Sequence, residues 1–283
     1  MQTEQFRLHA HIEDRHWWFV ARRGIVRRLA RRLLPPSRQT LVVDVGCGTG
    51  ANVAALADDY RCVGIDASAE AIELARQRFP AVEFLLGRAP EDLACVMPEA
   101  RLVLLMDVLE HVADDFELLS RLLAAVRPGG LVLLTVPADE SLWGKHDESF
   151  GHYRRYERTR LERLWSGLPV TTRLVSYFSA RTYPIIRAVR WWNRVRGRAA
   201  GQAGTDFWLP TPWVNRLLTG FFAGEGDVLE GLLSGRRGRG YGAGSSLVAI
   251  LERREGGLAV RGRPSDVPPD QRRAREVCAI LPT

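Results

Sequence analysis

The chain has 283 residues, of which 46% are apolar and 26% are charged. This length allows one large domain or two small ones, and the composition excludes a collagen, a coiled coil and a wholly disordered chain. No uncharged apolar run approaches the roughly 20 residues that a membrane-spanning helix needs, so a polytopic membrane protein is excluded as well.

The charge and the cysteines point away from nucleic acid and from metal. The 40 basic and 33 acidic residues leave a net charge of +7, and so small a surplus over the whole chain predicts no nucleic-acid partner. The four cysteines form neither a C-x-x-C pair nor a zinc-ligand spacing, which predicts no metal site. The polar start carries no apolar secretory segment, so we expect a cytoplasmic protein without structural disulfides.

Strand and helix patterns alternate over the first half of the chain. Apolar residues three and four apart over 13–34 predict an amphipathic helix, which makes 1–36 a cap on the domain that follows. Short β-branched runs then predict buried strands at 41–45, 62–65, 82–86, 102–106 and 131–136, with helices at 51–58, at 69–79 and up to 126. This alternation predicts an α/β fold, a doubly wound sheet with helices on both faces.

The pattern changes after Pro137. We predict a polar loop at 138–156, a helix at 157–166, strands near 170–178 and at 246–252, and between these strands an insertion at about 180–243. The domain would extend over 37–255. The tail 256–283 is rich in proline and charge, which predicts disorder.

A glycine-rich loop, Asp44-Val45-Gly46-Cys47-Gly48-Thr49-Gly50, follows the first predicted strand. Glycines at this point let the backbone approach a ligand closely. The next strand ends at Asp66, where an acid can accept hydrogen bonds from both hydroxyls of a ribose. The pattern therefore predicts a nucleoside-containing cofactor. A dinucleotide fingerprint would need a third glycine at position 51, where the chain has Ala51, and this argues against a nicotinamide-dependent oxidoreductase.

The loop resembles the D-x-G-x-G-x-G motif of class I S-adenosylmethionine-dependent methyltransferases. Further segments are similar to that family in the same order, namely Gly87–Leu93, Met106–Val112 and Val126–Gly130. The resemblance implies a Rossmann-like sheet of seven strands and S-adenosylmethionine as cofactor. It also implies a set of cofactor-binding residues: Arg22, Asp44, Gly46, Cys47, Gly48, Asp66, Ala67, Ala89, Glu91, Met106, Asp107 and His111.

Two flanking segments resemble one subgroup of that family. They are the stretch from His16 to Arg23, read as HWWF-x-x-RR, and the stretch from Trp143 to Tyr156, which contains DE-x-x-GH-x-RRY. The resemblance implies O- or N-methylation of a small organic acceptor, anionic, lipid-linked or a natural product. An alternative is a methyltransferase fold that binds the cofactor but catalyses a non-methylating step. We expect a monomer or homodimer.

The second flanking segment supplies the candidate catalytic residues, His146 and His152. Either imidazole can accept a proton near neutral pH, with Asp147 or Glu148 to orient it. The alternative is that both histidines only hydrogen-bond within the loop and close it over the cofactor. Tyr153, Arg154, Arg155 and Tyr183 are candidate acceptor-binding residues, although the arginines could instead form salt bridges with Asp147 or Glu148.

The insertion at about 180–243 combines tryptophan, phenylalanine and arginine. It could be a lid lined with aromatic side chains, or a surface patch that rests at a membrane interface without spanning it. We favour the lid, because Pro210 and Pro212 should interrupt an amphipathic helix.

Overall fold

The structure is a computed structural model, and it describes residues 3–196 and 209–256. The predicted tail lies outside the described residues apart from its first position. Among the described residues, no helix has the length and apolar character required to cross a membrane.

Seven strands form one sheet in the order β3-β2-β1-β4-β5-β7-β6. The strands are β1 (Ser37–Val45), β2 (Tyr60–Asp66), β3 (Glu83–Leu86), β4 (Leu102–Met106), β5 (Leu131–Pro137), β6 (Val170–Phe178) and β7 (Ser246–Arg253). The first five run parallel, whereas β7 is antiparallel to both β5 and β6. The predicted seven-stranded, doubly wound sheet is confirmed.

Helices connect the strands and precede the sheet. In the described residues they are α1 (Thr3–Ile12), α2 (Trp17–Leu33), α3 (Ala51–Ala54), α4 (Ala69–Arg78), α5 (Asp115–Ala125), α6 (Lys145–Phe150), α7 (Arg158–Arg163), α8 (Tyr183–Val195), α9 (Pro212–Ala223) and α10 (Glu225–Leu233). Both faces of the sheet are covered, because β4 is buried along its whole length between two apolar clusters, one beside α5 and the other beside α2. Each leucine or valine buried there stabilises the fold by about 1.5–3 kcal/mol.

The helix that the sequence pattern predicted over 13–34 is α2, which begins four residues later than predicted, and a further helix, α1, precedes it. Helix α2 begins at Trp17, because the imidazole of His16 accepts the backbone N–H of Trp18 and caps the helix. The preceding turn is held down by Glu13, which accepts a hydrogen bond from Thr49 Oγ1 at 2.6 Å and pairs with Arg78. Glu13 therefore links the turn between α1 and α2 to the glycine loop.

Two further predictions need correction. Pro212 does not interrupt a helix but starts α9, where the missing proline N–H would have had no partner inside the helix. The predicted loop at 138–156 contains α6, which ends at Gly151 in a left-handed conformation with φ 70°. Cys47 and Cys62 are free, buried thiols.

Candidate active site

A large cleft opens at the carboxyl ends of β1, β2 and β4, where the strand order reverses. Ligands bind at this point in open α/β sheets, because the loops that leave neighbouring strands diverge there. The cleft has a volume of about 2220 Å³, and sites for one small molecule typically measure about 300–1,000 Å³. It therefore has room for a cofactor and a second molecule.

The glycine loop forms the floor of this cleft. Gly46 and Gly48 both have positive φ angles, 70° and 54°, which favour glycine. A Cβ on Gly48 would meet nothing within 4 Å, so it would project into open space beside the cleft. A Cβ on Gly46 would instead lie 2.6 Å from Val108, so at this position the protein itself leaves no space for a side chain.

Asp66 lies at the end of β2 and holds the loop in place. Its Oδ2 accepts the backbone N–H of Gly48 at 2.9 Å, and its Oδ1 accepts that of Ser68 at 2.8 Å. The carboxylate also lines the cleft beside Cys47 and Ala67. Each carboxylate oxygen has a further lone pair, so Asp66 can receive ribose hydroxyls while it keeps its bonds to the backbone.

Asp44 is fully buried below the loop and does not line the cleft. Burial raises the pKa of this carboxyl to about 8, and the negative charge of Asp66 adds to the shift, while Arg22 opposes it. The placement does not support a direct contact between Asp44 and a cofactor.

Arg22 and its neighbour Arg23 have different surroundings, which the sequence did not distinguish. Arg22 is 5% exposed, lines the cleft and pairs with Asp107, with 2.7 Å between Nη1 and Oδ2. Its Nη2 also donates to Thr135 Oγ1 at 2.7 Å, and its guanidinium stacks 4.9 Å from the ring centroid of Trp18. Arg23 does not line the cleft and reaches only Asp14, at 4.0 Å.

The loop after β3 lines another part of the cleft through Ala89 and Glu91. The Glu91 carboxylate pairs with Arg121. Asp92 also lines the cleft and accepts the backbone N–H of Arg88 at 2.7 Å, although the sequence pattern did not select it. This loop therefore places a carboxylate at the cleft.

Asp147 is the centre of the loop that follows β5. It is fully buried, accepts the backbone N–H of Gly144, and receives two hydrogen bonds from Arg155, Nε to Oδ1 at 2.9 Å and Nη2 to Oδ2 at 3.1 Å. His152 Nδ1 lies 2.9 Å from the same Oδ1. Burial alone would raise the pKa of Asp147, but the hydrogen bonds from His152 and Arg155 outweigh it and hold the pKa well below its usual range.

The ionised Asp147 determines which nitrogen of His152 carries the proton. An ionised carboxylate only accepts hydrogen bonds, so Nδ1 of His152 is the protonated nitrogen and Nε2 carries a lone pair. His152 lines the cleft, as does His146. Burial lowers the pKa of His146 to about 3. Asp147 orients His152, a role that the sequence suggested for this carboxylate.

Glu110 and His111 join His152 in one cluster. Their side-chain donor atoms all lie within 4.8 Å of one another, close enough to hold a metal ion or to exchange a proton. Glu110 is fully buried, and burial followed by the charge of Asp107 raises its pKa well above the ordinary value. Burial also lowers the pKa of His111 to about 4. Glu110 was not selected from sequence, although it stands beside His111 in the Met106–Val112 motif.

The four predicted acceptor residues separate into two pairs. Tyr153 and Arg155 line the cleft, but the Arg155 guanidinium is bound to Asp147. Arg154 pairs with Asp115 at 3.0 Å and Tyr183 donates to Asp139 at 2.6 Å, and neither residue lines the cleft. Their placement does not support acceptor contact. Arg155 forms the alternative salt bridge that the sequence suggested, with Asp147. Arg154 pairs with Asp115 and not with Asp147 or Glu148.

The insertion forms one wall of the cleft. Side chains of α8 and α9 line it, together with Pro210 just before α9: Ile185, Ile186, Val189, Arg190, Val214 and Leu218. Asn215 fastens α9 to the start of α2, because its Oδ1 accepts the Trp17 N–H at 2.8 Å and its Nδ2 donates to Arg15 O at 2.7 Å. Met106, Trp17, Trp18 and Phe19 complete the neighbouring surfaces of the cleft.

Comparison with known proteins agrees with this architecture. A family model described as a methyltransferase domain matches residues 17–184, which is more than half of the chain. A chain of the solved complex that contains the Haloferax volcanii Trm112 methyltransferase activator superposes with a TM-score of 0.53 at 19% identity, covering 89% of this chain and 97% of that one. That similarity concerns the fold alone.

Curated relatives match a shorter part of the chain. The trans-aconitate 2-methyltransferase of Azoarcus sp. (strain BH72) is 37% identical over 118 residues, which are 39% of this chain and 45% of that protein. A probable S-adenosylmethionine-dependent methyltransferase of Mycolicibacterium smegmatis is 28% identical over 129 residues, 44% of this chain and 48% of that protein. The chain thus spans less than half the length of these relatives.

Proposed function

Because the chain belongs to the methyltransferase-domain family, we propose that it transfers the methyl group of S-adenosylmethionine to an oxygen or nitrogen atom of a small organic acceptor in the cleft. The observation that carries this proposal is the placement of Gly48, Asp66 and Arg22 around one cleft whose far side holds the Asp147–His152 pair. Cofactor residues and a base candidate therefore face a common space.

The residues at the glycine loop fit this cofactor. Asp66 offers two carboxylate oxygens for the ribose hydroxyls, and the open space at Gly48 leaves room beside the backbone. Arg22 binds Asp107 and Thr135 through Nη1 and Nη2, and its buried Nε has no hydrogen-bond partner among the described residues, so Nε can donate to the cofactor's carboxylate. When bound, S-adenosylmethionine supplies an electrophilic methyl group on a sulfonium.

The chain's own part in the chemistry is to position the acceptor and to remove its proton. His152 Nε2 is the base that takes up that proton, and Asp147 stabilises the imidazolium that forms. Removal of the proton is needed when the nucleophile is a hydroxyl or an ammonium group. A carboxylate acceptor would need no base, and relatives named for trans-aconitate bear the name of such a substrate.

The chemical class of the acceptor is also part of the proposal. Small anionic molecules, natural products and lipid-linked acceptors all suit a cleft whose rim carries Arg88 and Arg190. The non-methylating alternative predicts cofactor binding without methyl transfer. A cytoplasmic location, a monomeric or homodimeric state and the absence of a nucleic-acid partner stay predictions.

Two measurements test the proposal. Calorimetric titration with S-adenosylhomocysteine should show binding, whereas NADH should show none. Transfer of a labelled methyl group to a panel of carboxylates, phenols and amines should then identify the class of acceptor. Binding of NADH in place of S-adenosylhomocysteine would contradict the cofactor, and binding without transfer across the panel would favour the non-methylating alternative.

A further inference from the structure

Helices α8 and α9 expose an unusual amount of large apolar surface. Trp213 is 70% exposed, Ile185 65% and Trp191 60%, and further apolar residues on the two helices are exposed as well, namely Val189, Trp192, Val195, Leu217 and Phe221. Monomeric globular proteins rarely expose contiguous apolar surface on this scale unless it meets a partner. Helix α8 packs extensively on no other helix or strand of the described chain.

Both helices border the mouth of the cleft, because Val189 of α8 and Leu218 of α9 line it. Trp191, Trp192 and Trp213 do not line the cleft. The two helices therefore have one surface that faces the cleft and another that faces outward. We name the outer one the tryptophan face and define it by Trp191, Trp192, Val195, Trp213 and Leu217, none of which lines the cleft.

The charge around the tryptophan face has one sign. Residues 180–223 include seven arginines and one acid, Asp206, which lies outside the described residues. Arg187, Arg196 and Arg216 are exposed, and the Arg196 guanidinium lies 4.3 Å from the ring centroid of Trp192. This surface suits a partner that is apolar inside and negatively charged outside.

The spacing along α8 indicates how such a partner would be met. Val195 is four residues from Trp191 and three from Trp192, so these side chains share one side of the helix, and Arg187 lies at the edge of that side. A helix with tryptophan and aliphatic residues on one side and arginine beside them can lie in the plane of a lipid interface. Arginine side chains there reach the head groups while their stems stay apolar.

We propose that the tryptophan face docks on the surface of an anionic lipid bilayer, with the mouth of the cleft beside the head groups. The docking itself does not depend on the proposed methyl transfer. The docking also implies a class of acceptor, and that implication rests on the proposed function: a cleft held at the bilayer would methylate acceptors that carry an apolar group.

The test is co-sedimentation of the full chain with two kinds of vesicle, equimolar phosphatidylglycerol and phosphatidylcholine, and phosphatidylcholine alone. The wild type should sediment with the anionic vesicles. Salt at about 0.5 M should weaken this binding, because it screens the charge of the arginines. The triple variant Trp191→Glu/Trp192→Glu/Trp213→Glu should lose about tenfold or more of this partitioning. Phe116→Glu changes an apolar residue of α5 that is 38% exposed, and should change nothing.

Affinity for S-adenosylhomocysteine, measured on every variant, shows that the fold and the cofactor cleft are intact. Failure of the wild type to bind anionic vesicles, equal binding to both vesicle types, or undiminished binding by the triple variant would overturn the proposal. So would analytical ultracentrifugation in which the wild type is a dimer and the triple variant a monomer, since a second copy would then cover the face. A wild type that binds vesicles but not S-adenosylhomocysteine would refute the proposed function alone.

Discussion

Arg22 and Asp107 form an ion pair, 2.7 Å between Nη1 and Oδ2, that joins α2 to the end of β4. Thr135 of β5 completes the junction, since its Oγ1 accepts from Arg22 and donates to Asp107 Oδ1 at 2.9 Å. Asp107 adopts φ 56°, which is rare for a residue other than glycine. Strained backbone of this kind persists where the surroundings hold it, often at functional sites. Packing of the N-terminal segment thus determines the position of a charge in the cleft.

Arg22→Ala should weaken S-adenosylhomocysteine binding by more than about tenfold and destabilise the fold. Breaking a buried pair costs about 3–5 kcal/mol, and the partial exposure of Asp107 places the expected loss in the free energy of unfolding near 3 kcal/mol. Arg23→Ala is the matched control, and its looser, more exposed pair should cost under about 1 kcal/mol. Calorimetry and urea unfolding measure both quantities, and equal effects of the two variants would refute the assignment.

Asp66→Ala should weaken cofactor binding by about 1.5–3 kcal/mol, the loss of charged hydrogen bonds to two hydroxyls. The variant also removes the bonds to the Gly48 and Ser68 backbone, so part of the effect arises from a looser loop. Asp66→Asn keeps one carbonyl oxygen and should lose less. An unchanged dissociation constant for S-adenosylhomocysteine in Asp66→Ala would exclude a ribose contact at this position.

Gly48→Val and Gly46→Val should fail in different ways. A side chain at Gly48 has open space beside the cleft, so this variant should fold, with a strain cost of about 1–2 kcal/mol, and lose cofactor binding. A side chain at Gly46 collides with Val108, so that variant should lower the melting temperature as well. Thermal unfolding and calorimetry on both variants separate the effects. Normal binding by a folded Gly48→Val would show that the ligand lies elsewhere.

His152→Ala should lower kcat by about 10²–10⁴-fold and leave S-adenosylhomocysteine affinity nearly unchanged, if the acceptor must lose a proton. His146→Ala is the comparison and should lose far less, because burial lowers the pKa of His146 to about 3 and makes it a weaker base. Preincubation with EDTA should not change the rate. A rate restored only by added divalent ions would instead assign Glu110, His111 and His152 to a metal, and an unchanged kcat in His152→Ala would indicate an acceptor that is already deprotonated.

Stability should fall steeply on acidification. Burial lowers the pKa of His9 and His111 to about 4 and that of His146 to about 3, whereas unfolded histidines titrate near about 6.5. Between these values the unfolded chain binds more protons, so the free energy of unfolding drops as pH falls from about 6.5 to 4. Each such proton contributes about 1.4 kcal/mol per pH unit. Urea unfolding across this window measures the slope, and a flat profile would contradict the burial of the histidines.

Asp44 should act in the opposite direction. Its pKa of about 8 in the folded state exceeds the unfolded value, so its contribution to stability is full below about pH 4 and declines as pH rises toward 8. Asp44→Asn removes this titration, so the same urea series should show a flatter profile between about pH 6.5 and 8 and a steeper decline on acidification below about pH 6.5.

The sequence predicted the sheet well, because strands buried on both faces form continuous apolar runs that β-branched residues mark plainly. β4, which is buried along its whole length, was placed at 102–106, as the structure has it. Predicted helix boundaries were wrong where contacts from distant segments decide where a helix begins. The break before Trp17 depends on a capping histidine and on Glu13 bonding Thr49, and local periodicity contains neither contact.

The sequence by itself determined the glycine loop, the acid at the end of the next strand and hence the class of cofactor, because these depend on the order of residues along two adjacent strands. Only the tertiary structure decided the roles of side chains that compete for the same partner. Asp147 binds both His152 and Arg155, which orients one and removes the other as an acceptor anchor. Arg22 was separated from Arg23, and Glu110 was brought to His152, by packing between segments far apart in the chain. Spacing along a chain records which residues are near in sequence, whereas burial and charge pairing depend on which are near in space.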